Sequence, residues 1–159
     1  MFLIFDVLKI YRIAKAKYIS DLSGEGSRLY GGRWNKSGYS MLYFSSNLSL
    51  SVLELLVHLD YRFINDTFRY VEVDIPDDLK ISKLPSHILK QDWRHNPPLV
   101  LTQNYGTDWL ESTKSLALKV PSAVLPSEYN ILLNPNHIDF KSIAINKPSK
   151  LDLDARLFG

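Results

Sequence analysis

The sequence contains no cysteine. A disulfide framework, a cysteine-ligated zinc, an iron–sulfur cluster and a thiol nucleophile are therefore excluded. The absence fits a reducing compartment. Charge of one sign is also lacking. Nineteen Lys and Arg stand against seventeen Asp and Glu, for a net charge of +2. Nucleic-acid binders concentrate basic charge far more than this, so a direct nucleic-acid partner is not expected. No stretch approaches the ~18 uninterrupted apolar residues of a membrane-spanning helix. The opening MFLIFDVLKIYRI is apolar but carries Asp6, Lys9 and Arg12. With no basic leader and no small-residue cleavage site, it reads as a strand rather than a signal peptide. These readings predict a cytoplasmic protein with no membrane partner.

What is present suits a folded core. The 159 residues are 45% hydrophobic, enough for one domain over 1–159 and too few for a multidomain machine. LKIYRIA (8–14), MLYFSS (41–46), SLALKV (115–120), YNILLN (129–134) and IAIN (143–146) read as strands. FRYVEVDIP (68–76) alternates Val71, Val73 and Ile75 against Tyr70, Glu72 and Asp74, a strand with one buried face. NLSLSVLELLVHLD (47–60) reads as a helix capped by Ser46 or Asn47. A second helix fits 98–113, with Pro98 near its first turn and Gly106 against it. Residues 20–38 hold five of the seven glycines and read as an irregular loop. Short strands with two or three helices make an α+β domain rather than a regular βαβ alternation.

Three features can carry chemistry. On the helix at 47–60, Asn47, Ser51, Glu54 and His58 share one narrow stripe, and nearly all other positions are apolar. A helix apolar almost all round reads as buried, so its carboxylate must reach solvent, a partner or a cleft. An ordinary solvent stripe explains the same pattern. The second feature is GEGSRLYGGRWN. Its glycines permit close backbone approach to a ligand, and Arg28 and Arg33 bracket Gly31-Gly32. Guanidinium forks suit phosphates or carboxylates. It is neither a P-loop nor a dinucleotide fingerprint, because no Gly-Lys-Ser/Thr follows and Leu29 stands where a third glycine belongs. A hairpin loop with surface arginines is the alternative. The third is the Val120-Pro121-Ser122-Ala123 corner, which lacks a nucleophile elbow and reads equally as a turn serine. The four histidines show no metal-ligand spacing, so no metal site is expected. His58 reads as a neighbour of Glu54. The numerous aromatics read first as core.

Taken in order, YRI (11–13), LSGEGSRLYGGRWNKSG (22–38), LYFSSNLSLSVLELLVHL (42–59), YVEVDIPDDL (70–79), LALKVPSAVLPSEYNILLNP (116–135) and LDLDARLF (151–158) resemble the RES domain family. Its members are toxins of bacterial toxin–antitoxin pairs. The family's arginine falls on Arg33, its tyrosine on Tyr43, its glutamate on Glu54 and its serine on Ser122. Two departures stand out. Ser49 and Ser51 replace the alanines common before the glutamate, and KSGYS replaces a small-residue and proline segment. The resemblance implies a fold similar to ADP-ribosyltransferases. It also implies degradation of NAD by cleavage of the nicotinamide–ribose bond, with water or phosphate as acceptor.

In that reading NAD is a consumed substrate, not a resident cofactor, so no Rossmann fold is required. Glu54 stabilises the ribosyl cation and Arg33 clamps the pyrophosphate. Arg28 and Arg12 are further substrate-binding candidates. Tyr43 stacks on nicotinamide, and Ser122 holds a carboxamide or ribose hydroxyl. The implied partner is an antitoxin with an Xre-like helix-turn-helix domain. Homo-oligomerisation is left open. Transfer of ADP-ribose to a protein target keeps the same site and changes the acceptor. A non-enzymatic binding module is the competing class. An RNA-cleaving toxin is disfavoured by the near-neutral charge and the lack of an acidic metal cluster.

Overall fold

The computed structural model describes residues 7–158. The strand expected from the first six residues therefore lies outside the described residues, except where it continues into β1. The elements are β1 (Val7–Lys15), α1 (Glu25–Tyr30), β2 (Leu42–Ser45), α2 (Leu48–His58), β3 (Phe68–Pro76), β4 (Ile81–Lys83), α3 (Ser86–Leu89), α4 (Val100–Ser112), β5 (Ala117–Pro121), β6 (Tyr129–Leu133), β7 (Ala144–Ile145) and β8 (Ser149–Lys150). The protein is an α+β domain. Among the described residues its α-helices number four rather than two or three, because α1 is a short helix inside the stretch that reads as loop and α3 spans only four residues. Too few residues repeat there to show a helical period.

The strands join one sheet in the order β4-β5-β6-β2-β1-β3-β7, with β8 also on β3. All pairings are antiparallel except β4 with β5. The β1–β3 ladder is the longest, running from Val7↔Pro76 to Lys15↔Phe68. The alternation in β3 does what it predicts. Val71, Val73 and Ile75 are buried in the core with Ile10, Phe44 and Ile131, while Glu72 and Asp74 point to the other face.

That other face is covered by helices. Trp34, Trp109, Leu110 and Ile88 pack there against Leu118, Val120 and Leu132. Gly106 explains itself in this layer. A Cβ at this position would stand 1.7 Å from the Trp34 carbonyl oxygen, so α4 lies directly on the backbone of the glycine loop.

α2 takes one of the orientations its stripe left open, with Ser51, Glu54 and His58 on a cleft rather than on open solvent. Asn47 is the N-cap, accepting from the Leu50 N–H at 2.8 Å. The polar stripe then turns inward. Ser51 is buried and donates to the Tyr11 carbonyl at 3.3 Å, while Leu53 and Val57 are 42% and 62% exposed. The helix is thus not buried all round. Its polar edge faces the sheet because the chain supplies partners there, and part of its apolar surface faces outward.

Candidate active site

The strip of sheet under α2 carries alternate side chains from three strands. Register pairs Tyr11 with Ser45, Ser45 with Asn130, and Tyr43 with Leu132. Tyr11, Tyr43, Ser45 and Asn130 therefore share one face. Together with α1 and α2, Tyr11, Tyr43 and Ser45 of this face line a cleft of about 710 Å³. Arg12, Tyr43, Glu54 and His58 all border it.

Glu54 is fixed from one side. Its Oε1 accepts from Ser122 Oγ at 2.8 Å and from Asn130 Nδ2 at 2.8 Å. Its Oε2 has no hydrogen-bond partner among the described residues. Ser122 is fully buried, and its Oγ accepts from the Val124 and Leu125 N–H groups at 3.1 and 3.2 Å. With two donors already pointing at that oxygen, its own proton goes to Glu54. The proline corner thus acts as a mount for the carboxylate. Asn130 is oriented in turn by Ser45 Oγ at 3.3 Å from its Oδ1. The Ser122 N–H donates to the Glu128 carbonyl, and the Glu128 side chain accepts from Asn47 at the start of α2. One chain of bonds therefore ties the corner to the helix that bears Glu54.

Tyr43 is held as firmly. Its hydroxyl donates to Asn35 Oδ1 at 2.5 Å and accepts from the Trp34 N–H at 3.1 Å. Burial pushes its phenol well above the ordinary tyrosine range, with Trp34 and Arg33 pulling weakly the other way. Asn35 is fully buried and donates to the carbonyls of Ser27, Lys36 and Tyr39. Gly32 leaves room for this arrangement, since a Cβ there would stand 2.6 Å from the Tyr43 hydroxyl. At this position the glycine serves packing inside the loop.

The three arginines separate. Arg33 is half-buried, and its Nη1 donates to the carbonyls of Trp93 and His95 at 3.1 and 2.8 Å. Burial holds its guanidinium below the usual arginine range. Tyr43 and Glu54 oppose that shift, and Arg94 adds to it. Arg12 borders the cleft, with its Nη1 donating to the Ile19 carbonyl at 3.0 Å. Burial lowers its proton affinity, and Asp21 counters this. Arg28 forms a bidentate pair with Glu25 at 2.8 and 2.6 Å on the outside of α1 and does not line the cleft. Tyr18 and Tyr30 also border the cleft, and at 53% and 86% exposed they are not core.

The structure thus joins Glu54 directly to Ser122, sets Tyr43 on the same cleft, and leaves Arg33 within electrostatic reach. The sequence alone does not single out Asn130 or Asn35. Asn35 stands in the GGRWN motif without an assigned role. Nothing in YNILLN distinguishes Asn130 from any polar residue on an alternating strand. The two departures also find places. Ser51 ties α2 to β1, and Ser49 Oγ donates to the Asn47 cap at 3.2 Å. Among the described residues no cluster of His, Asp or Glu suits a metal ion. Among the described residues no helix is long and apolar enough to cross a membrane.

Comparison with known proteins identifies the family and the fold. The Toxin Res of Yersinia enterocolitica is 38% identical over 152 residues, spanning 94% of this chain and 99% of that protein. The Toxin Res of Photorhabdus laumondii is 39% identical over 151 residues, with 93% and 96% covered. The Prs ADP-ribosylating toxin of Sphingobium sp. is 34% identical over 147 residues, covering 91% of each. A chain in the crystal structure of the M. tuberculosis MbcT–MbcA toxin–antitoxin complex superposes with a TM-score of 0.71. It is 17% identical and covers 93% of this chain and 86% of that one, a likeness of fold. The RES domain model matches residues 9–154, and the chain belongs to the RES domain family.

Proposed function

We propose that this chain is the toxin of a toxin–antitoxin pair and that it consumes NAD by cleaving the nicotinamide–ribose bond. The observation that carries the reading is Glu54, a carboxylate that borders the cleft and is anchored through one oxygen, the other having no hydrogen-bond partner among the described residues. The family and the names of its relatives support the toxin role.

Cleavage passes through an oxocarbenium-like ribosyl cation. Nicotinamide leaves with the electron pair of the C–N bond. It is already a pyridinium and needs no acid. The site must supply position and negative charge beside the developing cation. Glu54 Oε2 supplies the charge and holds the ribose hydroxyls, while Ser122 and Asn130 keep the carboxylate from turning. Arg33 and Arg12 neutralise the pyrophosphate, and the Tyr43 ring meets the nicotinamide face, a contact worth about 0.5–1.5 kcal/mol beyond area. Arg28, spent on Glu25, is a substrate contact only if that pair opens. Water adding at the ribose carbon gives ADP-ribose and a proton. Phosphate gives ADP-ribose-1″-phosphate.

The deciding experiment is NAD consumption by the purified protein with and without phosphate, with products identified. Nicotinamide appearing only with phosphate marks a phosphorylase. Nicotinamide with free ADP-ribose in both buffers marks a glycohydrolase. NAD surviving both buffers defeats the reading. The Sphingobium relative, named an ADP-ribosylating toxin, favours a second reading in which a protein is the acceptor. Intact mass of a target gaining one ADP-ribose unit marks that case. Such an activity works on the intracellular NAD pool, so the proposed location is the cytoplasm. The proposed partner is an antitoxin bearing an Xre-like helix-turn-helix domain and covering the cleft. Saturating partner should slow NAD loss, and no slowing removes the idea.

A further inference from the structure

Arg94 belongs to none of the three motifs above. It lies on the segment between α3 and α4, which folds across the proline corner. Its Nε donates to the Ala123 carbonyl at 2.7 Å, one residue from Ser122. Arg33 reaches the same segment. The carbonyls that Arg33 binds belong to Trp93 and His95, the two residues flanking Arg94. Trp93 packs against the helix-covered core, which fixes the segment in place.

Two guanidinium groups thus meet around one short loop. Their partners are neutral carbonyls, which orient them without cancelling charge. Neither arginine forms an ion pair among the described residues. Their mutual repulsion is felt at Arg33, where Arg94 acts in the same direction as burial. A pair of preoriented guanidinium forks with unspent donors matches the oxygens of a phosphoryl group, which binds them bidentately and relieves the repulsion.

We propose that Arg33 and Arg94 together form a binding site for a phosphoryl group beside the Glu54–Ser122 pair. The proposal deepens the NAD-consuming reading and rests on it for the identity of the ligand. The group is either free phosphate, the acceptor, or the pyrophosphate of the dinucleotide. Arg94 is then a substrate-contacting residue that the four signature positions do not include.

The test is calorimetric titration of the full chain at low salt with inorganic phosphate alone and, separately, with ADP-ribose. Wild type should bind at least one probe. Arg94→Gln keeps a donor for the Ala123 carbonyl and removes the charge, and it should bind that probe at least tenfold more weakly. Arg94→Lys should recover part of the loss. Arg156→Gln, at an exposed arginine paired with Asp154, should bind as wild type. Loss confined to phosphate assigns the acceptor. Loss with ADP-ribose assigns the dinucleotide. Wild type binding neither probe, or Arg94→Gln binding both as wild type, overturns the site. The readout needs no turnover. Intact binding with NAD left whole defeats the catalytic reading alone, and NAD consumption with unaltered Arg94→Gln binding defeats this site alone.

Discussion

Glu54 and Glu72 are both half-buried carboxylates, and they are spent very differently. Glu72 uses both oxygens. Its Oε2 accepts from Lys9 Nζ at 3.3 Å and Asn146 at 3.2 Å, and its Oε1 accepts from Tyr11 at 3.0 Å. A cation touches it and its charge is answered inside the fold. Glu54 accepts only neutral donors, through one oxygen, and feels Arg33 without forming an ion pair with it. Holding a charge without neutralising it adds little to stability, because desolvation offsets what the bonds return. Such an arrangement stores negative potential where a cation is to appear. Glu72 is a strut, and Glu54 is kept ready.

The strongest test of this contrast exchanges each carboxylate for its amide. Glu54→Gln should lower NAD consumption by roughly 10²–10³-fold or more with a nearly unchanged melting temperature, whereas Glu72→Gln should stay within about twofold of wild type. Equal losses of activity would break the comparison. The mount comes next. Asn130→Leu deletes one of two bonds to Glu54 Oε1. A hydrogen bond to a charged group is worth about 1.5–3 kcal/mol, so kcat should fall roughly 10- to 150-fold if the bond matters mainly in the transition state. Unchanged kcat would make Asn130 a packing residue. A smaller effect belongs to Glu72. Losing a partly exposed ion pair costs about 0.2–1 kcal/mol, so calorimetry of Glu72→Gln should show a drop of a few degrees at most.

The smallest effect concerns pH. The bond to Asp74, then that to Glu72, raises the Lys9 ammonium above its usual range. The folded chain therefore holds that proton more tightly than the unfolded one. The contribution is complete below the unfolded value of about 10.4 and is lost as pH rises through the higher folded value. Melting curves of wild type and Lys9→Met should converge at strongly alkaline pH. A constant gap would place the stabilisation in the stem of Lys9 rather than its charge.

The same two glutamates mark what the sequence could reveal. Alternation in 68–76 correctly put Glu72 on the face opposite Val71 and Val73, because strand period depends only on near neighbours. The helix around Glu54 and its Asn47 cap were legible for the same reason. Its orientation was not. The stripe faces inward because Ser122 and Asn130 arrive from positions 68 and 76 residues away, and no local period encodes such a meeting. Arg28 and Arg33 looked alike within the glycine loop. A helix of six residues, invisible as a pattern, spends the first on Glu25, while a segment sixty residues on receives the second. Resemblance to a family named Arg33, Tyr43, Glu54 and Ser122, but it was silent on what holds them.

Gly106 carries a consequence for genetics. Its bare Cα lets α4 rest on the Trp34 carbonyl, next to Arg33 in the chain. Any side chain there pushes the loop that bears Arg33, although Gly106 itself meets no substrate. On the proposed reading, an active copy starves its host. Cells that outlive its expression should therefore carry losses at Gly106 alongside those at Glu54 and Arg33. A survivor map would then trace an outline wider than the chemistry, and its outlying point would mark where a helix leans on a loop.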